Sequence, residues 1–127
     1  FTDNYLSTTY SNASVRSTTT MNSHVWFAAT KNSGLKISGF STSGYTNLKL
    51  SYSIAANVKS VDQNVIQVKC DSTVMTVPSV SIPATNLYQT VELSNVPVNT
   101  TSIEFISSAT TNTAGYRIDN VKLVGTK

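Results

Sequence analysis

The chain of 127 residues has one cysteine, one histidine and few charges. Because Cys70 is alone, neither an internal disulfide nor a cysteine-based metal cluster can form. Charged residues make up 12% of the chain, about half of the ordinary share, which excludes a coiled coil and a long helical bundle. Apolar runs such as Val25–Ala28 are far too short to span a membrane as a helix. The length predicts one domain.

Proline and glycine are also scarce, with 3 and 5 residues, and they form no linker. Nine cations against six anions give a net charge of +3. No two of the cations are adjacent in the sequence, so there is no basic stripe that would neutralise several phosphates together. We therefore expect no nucleic-acid partner.

Hydroxyl-bearing and β-branched side chains are abundant instead, with 19 Ser, 19 Thr, 14 Val and 7 Ile. Residues branched at Cβ favour strands. From His24 onward, short alternating segments are separated by turn signals, which predicts strands of a sandwich or a barrel. The predicted strands are His24–Thr30, Leu35–Phe40, Asn47–Ala56, Asn64–Cys70, Thr73–Val77, Leu87–Leu93, Thr101–Ser107 and Gly115–Val124.

Alternation of apolar and polar residues is clearest within Leu48–Ile54, Leu87–Leu93 and Ile103–Phe105. Such strands belong to antiparallel sheets with one solvated face, and no segment carries a helical stripe. Eight strands predict an all-β fold, a jelly-roll β-sandwich of two antiparallel sheets. We expect a single β-sandwich domain over residues 1–127, with residues 1–23 as an irregular or edge segment packing on the body. Phe1 is not an initiator Met, so we expect a processed protein or an excised domain.

Three stretches carry a resemblance to a known group of modules: Ile37–Phe40, Tyr45–Tyr52 and Tyr116–Gly125. Together they resemble the galactose-binding-domain-like jelly rolls at the C-terminal ends of secreted and surface-attached bacterial proteins. The last stretch, with its Ile-Asp-Asn-Val-x-Leu pattern, is also similar to the final strand of carbohydrate-binding modules and of MAM-type adhesion domains. The resemblance covers residues 24 to 125. It implies a fold, whereas function differs widely within the superfamily.

Asp119 lies among apolar residues of the last predicted strand, where a bare carboxylate needs a partner. Either the strand is regular and Asp119 faces the same way as Val121, or a β-bulge at Asp119-Asn120 changes the facing. One interpretation is a hydrogen bond or salt bridge, with Arg16 or backbone amides. The resemblance implies the other, a structural calcium ion between the first and last strands, with Asp3, Asn4 and Asp119 as oxygen ligands.

Trp26 and Tyr45 are the best candidates for stacking on a sugar ring. Alternation with Val25 and Phe27 directs Trp26 away from the core, onto a sheet face. The alternative is a Trp packed under the N-terminal segment. Tyr45 follows Gly44 and is expected at a loop tip, or as an apolar plug at the end of the sandwich.

No catalytic arrangement is evident in the sequence. A triad or a cysteine nucleophile would have to use His24, and no nucleophile elbow surrounds it. Glu92 and Glu104 alternate with core residues, which is typical of solvated charges on strand faces. We therefore predict a non-catalytic, carbohydrate-binding module of an exported bacterial protein, secreted or at the cell surface and joined to other domains. The alternative is a structural or adhesive spacer with no small ligand.

Overall fold

The computed structural model describes residues 11–16, as a strand, and residues 24–127. Within these ranges the chain forms nine strands: β1 (Ser11–Arg16), β2 (His24–Phe27), β3 (Ser33–Ser38), β4 (Thr46–Ala56), β5 (Gln67–Cys70), β6 (Thr73–Val74), β7 (Gln89–Leu93), β8 (Ser102–Ser107) and β9 (Tyr116–Thr126). Helix is limited, in the described part, to a 3-10 turn at Gln63–Val65. No helix of the described chain is long and apolar enough to cross a membrane.

All eight strands predicted from the sequence are present, but several are shorter than predicted. β3 ends at Ser38 because Gly39 takes a positive φ of 86° and turns the chain. β5 begins three residues later than expected, since the Asp62 side chain accepts a hydrogen bond from the Asn64 amide and starts the 3-10 turn. Turn chemistry therefore sets the strand ends.

The strands form two sheets that pack face to face as a jelly-roll β-sandwich, which confirms the predicted fold. The back sheet has the order β6-β5-β8-β3, and the front sheet has the order β2-β9-β4-β7. Neighbouring strands within each sheet are antiparallel. β1 pairs with both sheets: Ala13–Arg16 run antiparallel to β2, and Ser11 and Asn12 run parallel to β3. The predicted segment 1–23 therefore contains one strand, and its other residues lie outside the described ranges.

The core between the sheets is built from alternate residues of facing strands. Tyr52 of β4 and Phe105 of β8 meet edge to face, with ring centroids 5.0 Å apart, in an arrangement that aromatic pairs prefer. Cys70 is fully buried in the same core, and burial, together with the nearby charge of Asp71, raises the pKa of its thiol to about 11. The sandwich therefore has a continuous apolar interior.

A β-bulge in β9 decides which way Asp119 points. Ser53 pairs with Asp119 and Ser51 pairs with Lys122, so Tyr52 stands opposite two residues, Asn120 and Val121. Asn120 adopts a φ of 52°, which Asn tolerates better than most residues. The extra residue places Asp119 on the outer face of the front sheet and lets Val121 pack against the core.

The buried side chain of Asn112 ties the ends of three strands together. Its amide nitrogen donates to the carbonyl oxygens of Phe27 and Ala28 at 3.3 and 3.2 Å, and to Ser107 Oγ at 2.8 Å. Its amide oxygen accepts from the backbone N–H groups of Ala114 and Gly115 at 3.2 and 2.9 Å. The loop between β8 and β9 is thereby fixed against the end of β2.

We predict that Asn112→Ala lowers the free energy of unfolding by about 3 kcal/mol, because buried backbone groups would lose their partners. Urea denaturation monitored by circular dichroism measures the change. The exposed Asn64 supplies the control, and Asn64→Ala is expected to change stability by less than about 0.5 kcal/mol. Equal effects of the two substitutions would contradict this role of Asn112.

Candidate functional site

Four residues lie side by side across the outer face of the front sheet. Trp26 of β2 pairs with Arg117 of β9, and Arg117 pairs with Ala55 of β4. Since Ile54 pairs with Gln89, the next residue outward, Tyr88, is opposite Ala55. We call these four residues the front row. Adjacent strands are about 4.8 Å apart, so the row spans roughly 14 Å from Trp26 to Tyr88.

Trp26 is half-buried on the outer face, opposite in direction to the core residues Val25 and Phe27. The guanidinium carbon of Arg117 lies over its ring, 4.6 Å from the centroid, which is a cation–π contact. The edge of the indole lies against Gly115, where a Cβ atom would be 2.8 Å from Trp26 Cζ2 and closer still to Cη2. The ring is therefore held in place, in part by a glycine that leaves room for it.

Two asparagines hold the guanidinium of Arg117. Its Nη1 donates to Asn57 Oδ1 at 2.7 Å and to Asn86 Oδ1 at 2.8 Å. Backbone hydrogen bonds fix both asparagines. The backbone N–H of Asn57 donates to the Gly115 carbonyl oxygen, and the backbone N–H of Asn86 donates to the Ala56 carbonyl oxygen. Partners that are themselves held by the backbone limit the movement of the guanidinium.

Tyr88 closes the other end of the front row. It is half-buried, and within the described chain its hydroxyl is buried without a hydrogen-bond partner. Burial raises the pKa of Tyr88, and the negative charge of Asp119 raises it further, against an opposite effect of Arg117. Tyr88 and Arg117 stand on either side of Ala55 in the front row. The outer face thus combines two aromatic rings with amide, guanidinium, hydroxyl and carboxylate groups.

The alternation in the sequence predicts Trp26 on this face, but no pattern in the sequence points to Arg117, Asn57 or Asn86. The available signal was parity, since Arg117 alternates with Tyr116 and Ile118 just as Trp26 alternates with its core neighbours. Parity alone does not show that residues 26, 57, 86 and 117 are adjacent. That adjacency depends on strand pairing across long sequence separations.

Asp119 lies on the same outer face, one strand position beyond Ile118. Its carboxylate accepts a hydrogen bond from the Asn120 amide at 2.8 Å, and Asn120 Nδ2 donates to Ser53 Oγ at 3.2 Å. Among the described residues no three His, Cys, Asp or Glu side chains lie close enough to hold a metal ion. The other predicted ligands, Asp3 and Asn4, lie outside the described residues. The calcium site therefore stays a prediction.

Tyr45 lies far from Trp26. It is 37% exposed at the opposite end of the sandwich, with its Cβ close to Gly125 and its ring 5.8 Å from Lys127 Nζ. Gly125 is eight positions beyond Arg117 in β9, which corresponds to roughly 26 Å. The structure therefore does not bring the two predicted sugar-stacking residues into one site.

Comparison with known proteins supports the fold. No family model and no curated protein matches the chain. A solved structure described as "CBM4 structure and function", a carbohydrate-binding module, is similar to this chain with a TM-score of 0.53 and 12% sequence identity. The match covers 91% of this chain and 92% of that one. The match supports the fold that the sequence predicted, a jelly-roll β-sandwich.

We predict that Gly115→Ala displaces the Trp26 ring, because the added methyl group would overlap it. The matched control is Gly44→Ala, since Gly44 has a similar φ of 84° but open space at its Cβ. Both substitutions are expected to cost about 1–2 kcal/mol of stability for the left-handed backbone. Only Gly115→Ala should add a further loss and shift the Trp fluorescence maximum. Equal fluorescence in both variants would contradict the placement of Trp26.

If Asp119 helps to hold calcium, excess chelator should lower the melting temperature, because a ligand bound to the folded state stabilises it. Asp119→Ala should abolish that sensitivity. The control is Asp71→Ala, because Asp71 caps Thr101 and Ser102 at the other sheet and should keep any chelator effect. A melting temperature that does not change with chelator would contradict the calcium site. Asp119 would then be a carboxylate whose partners are protein groups alone.

Proposed function

We propose that this domain is a non-catalytic carbohydrate-binding module and that the outer face of the front sheet, centred on the front row, is its sugar site. The observation that carries the proposal is the row itself: Trp26 and Tyr88 flank an Arg117 held by two asparagines. Aromatic rings suit the apolar C–H faces of sugars, and fixed donors and acceptors suit their hydroxyl groups. The fold similarity to a carbohydrate-binding module supports the same function.

The positions of the two glutamates do not suit hydrolysis of a glycosidic bond by that pair. Glycoside hydrolysis normally needs two carboxyl groups on either side of one bond, within about 10 Å of each other. Glu92 belongs to the front sheet, where it lies 3.9 Å from Lys49, and Glu104 belongs to the back sheet beside Lys36 and Lys69. Because these two glutamates occupy opposite faces of the sandwich, they do not suit one glycosidic bond.

The setting we propose is an exported bacterial protein in which this domain brings other domains to a glycan. A surface rich in Ser, Thr and Asn and poor in charge suits neutral ligands outside the cell. The alternative, a spacer domain without a small ligand, predicts no specific glycan at all.

A glycan array with the isolated domain, followed by isothermal titration calorimetry, tests the proposal. We expect affinities from micromolar to millimolar, or about −4 to −8 kcal/mol, because the site is shallow and solvated. Trp26→Ala should abolish binding and also lower stability, since the ring is half-buried. Tyr88→Ala removes the second ring of the front row, so it should also weaken binding. Lys36→Ala, on the back sheet, is the control and should bind as the unchanged domain does.

The proposal fails if no glycan binds above background, in which case the spacer function replaces it. It also fails if the front-row variants bind as tightly as the unchanged domain while remaining folded.

A further inference from the structure

An open apolar pocket of about 550 Å³ lies at the end of the sandwich opposite the front row. Its walls come from both sheets and from the loop between β3 and β4, and include Ile37, Phe40, Tyr45, Leu48, Ile103 and Leu123. None of the residues that line it carries a charge. This volume lies in the range of roughly 300–1,000 Å³ that is typical of small-molecule sites.

The loop that forms the outer wall of this pocket is fixed. Thr42, near its middle, is buried; its amide donates to the Thr100 carbonyl at 3.1 Å, and its Oγ accepts from the Thr100 amide at 2.8 Å. The Tyr45 amide in turn donates to the Thr42 carbonyl at 3.0 Å. These bonds hold Phe40 and Tyr45 on either side of Thr42, so the pocket is preformed rather than dependent on a ligand to open it.

Gly125 shapes the pocket on the side of β9. A Cβ at this position would lie 2.6 Å from Leu48 Cδ2 and 3.3 Å from Tyr45 Cβ. The missing side chain therefore lets Leu48 and Tyr45 approach the strand closely and form a continuous apolar wall. The pocket shares no residue with the front row, so it does not duplicate that site.

A charge near one of the lining residues indicates what kind of molecule fits. Lys127 Nζ lies 5.8 Å from the centre of the ring of Tyr45, which lines the pocket. An apolar ring would contact Phe40 and Tyr45 inside, while an acidic group at its edge would reach the ammonium group outside. We propose that this pocket is a second binding site, independent of the sugar site, for a small aromatic carboxylate.

The probe is 2-naphthoate, titrated into the ¹⁵N-labelled domain and followed by two-dimensional NMR. We expect a dissociation constant on the order of 1 mM, given the modest affinity per atom of small ligands. The amides of Thr42, Tyr45 and Gly125 should shift on binding, while those of Trp26 and Arg117 should not. Shifts centred on Trp26 and Arg117 instead would overturn the proposal, because they would show that 2-naphthoate binds at the front row and not in the pocket.

Two pairs of variants separate the roles of the ring and the charge. Tyr45→Ala should weaken binding about tenfold, whereas Leu87→Ala, at another exposed apolar residue, should leave it unchanged. Lys127→Ala should weaken it about two- to fivefold, and Lys122→Ala, on the same strand, should not. Loss of affinity in the control variants, or equal affinity for 2-naphthylmethylammonium, would overturn the proposal.

Discussion

Five hydrogen bonds converge on the side chain of Asn112, a residue with no exposure to solvent. A buried amide with all its main groups paired fixes its surroundings far more strongly than an exposed one. Through these bonds the start of β9 is fixed relative to the end of β2. The contact between Gly115 and Trp26, and the pairing of Trp26 with Arg117, both follow from that placement.

Polar residues outside the core therefore determine how the front row is arranged. The apolar interior requires only that each strand turns its alternate residues inward. It does not decide that an indole should meet a guanidinium, or that Asn57 and Asn86 should bind that guanidinium together. Those contacts arise because loop amides and carbonyls position the side chains from outside the core, as is common for binding sites supported by a rigid scaffold.

Much of the fold could be predicted from the sequence, because alternation of period two marks each strand directly. The burial of Tyr52 and Phe105 follows from that alternation. The site was harder to predict. Trp26 was found by parity, whereas Arg117 needed the strand register, which pairs residues about ninety positions apart in the sequence. For Asp119, a regular strand and a strand with a β-bulge differ by one inserted residue. No local sequence pattern distinguishes these two possibilities.

The bulge at Asn120 gives Asp119 and Asn120, the Asp-Asn pair of the final strand, a role in the backbone structure. Asn120 occupies a left-handed backbone conformation, and the Asp119 carboxylate accepts its amide hydrogen. Asn thus tolerates the backbone conformation, and Asp accepts a backbone hydrogen bond, at the place where the strand gains one residue. A short sequence signature of this kind therefore records the path of the chain, and by itself it does not specify a ligand.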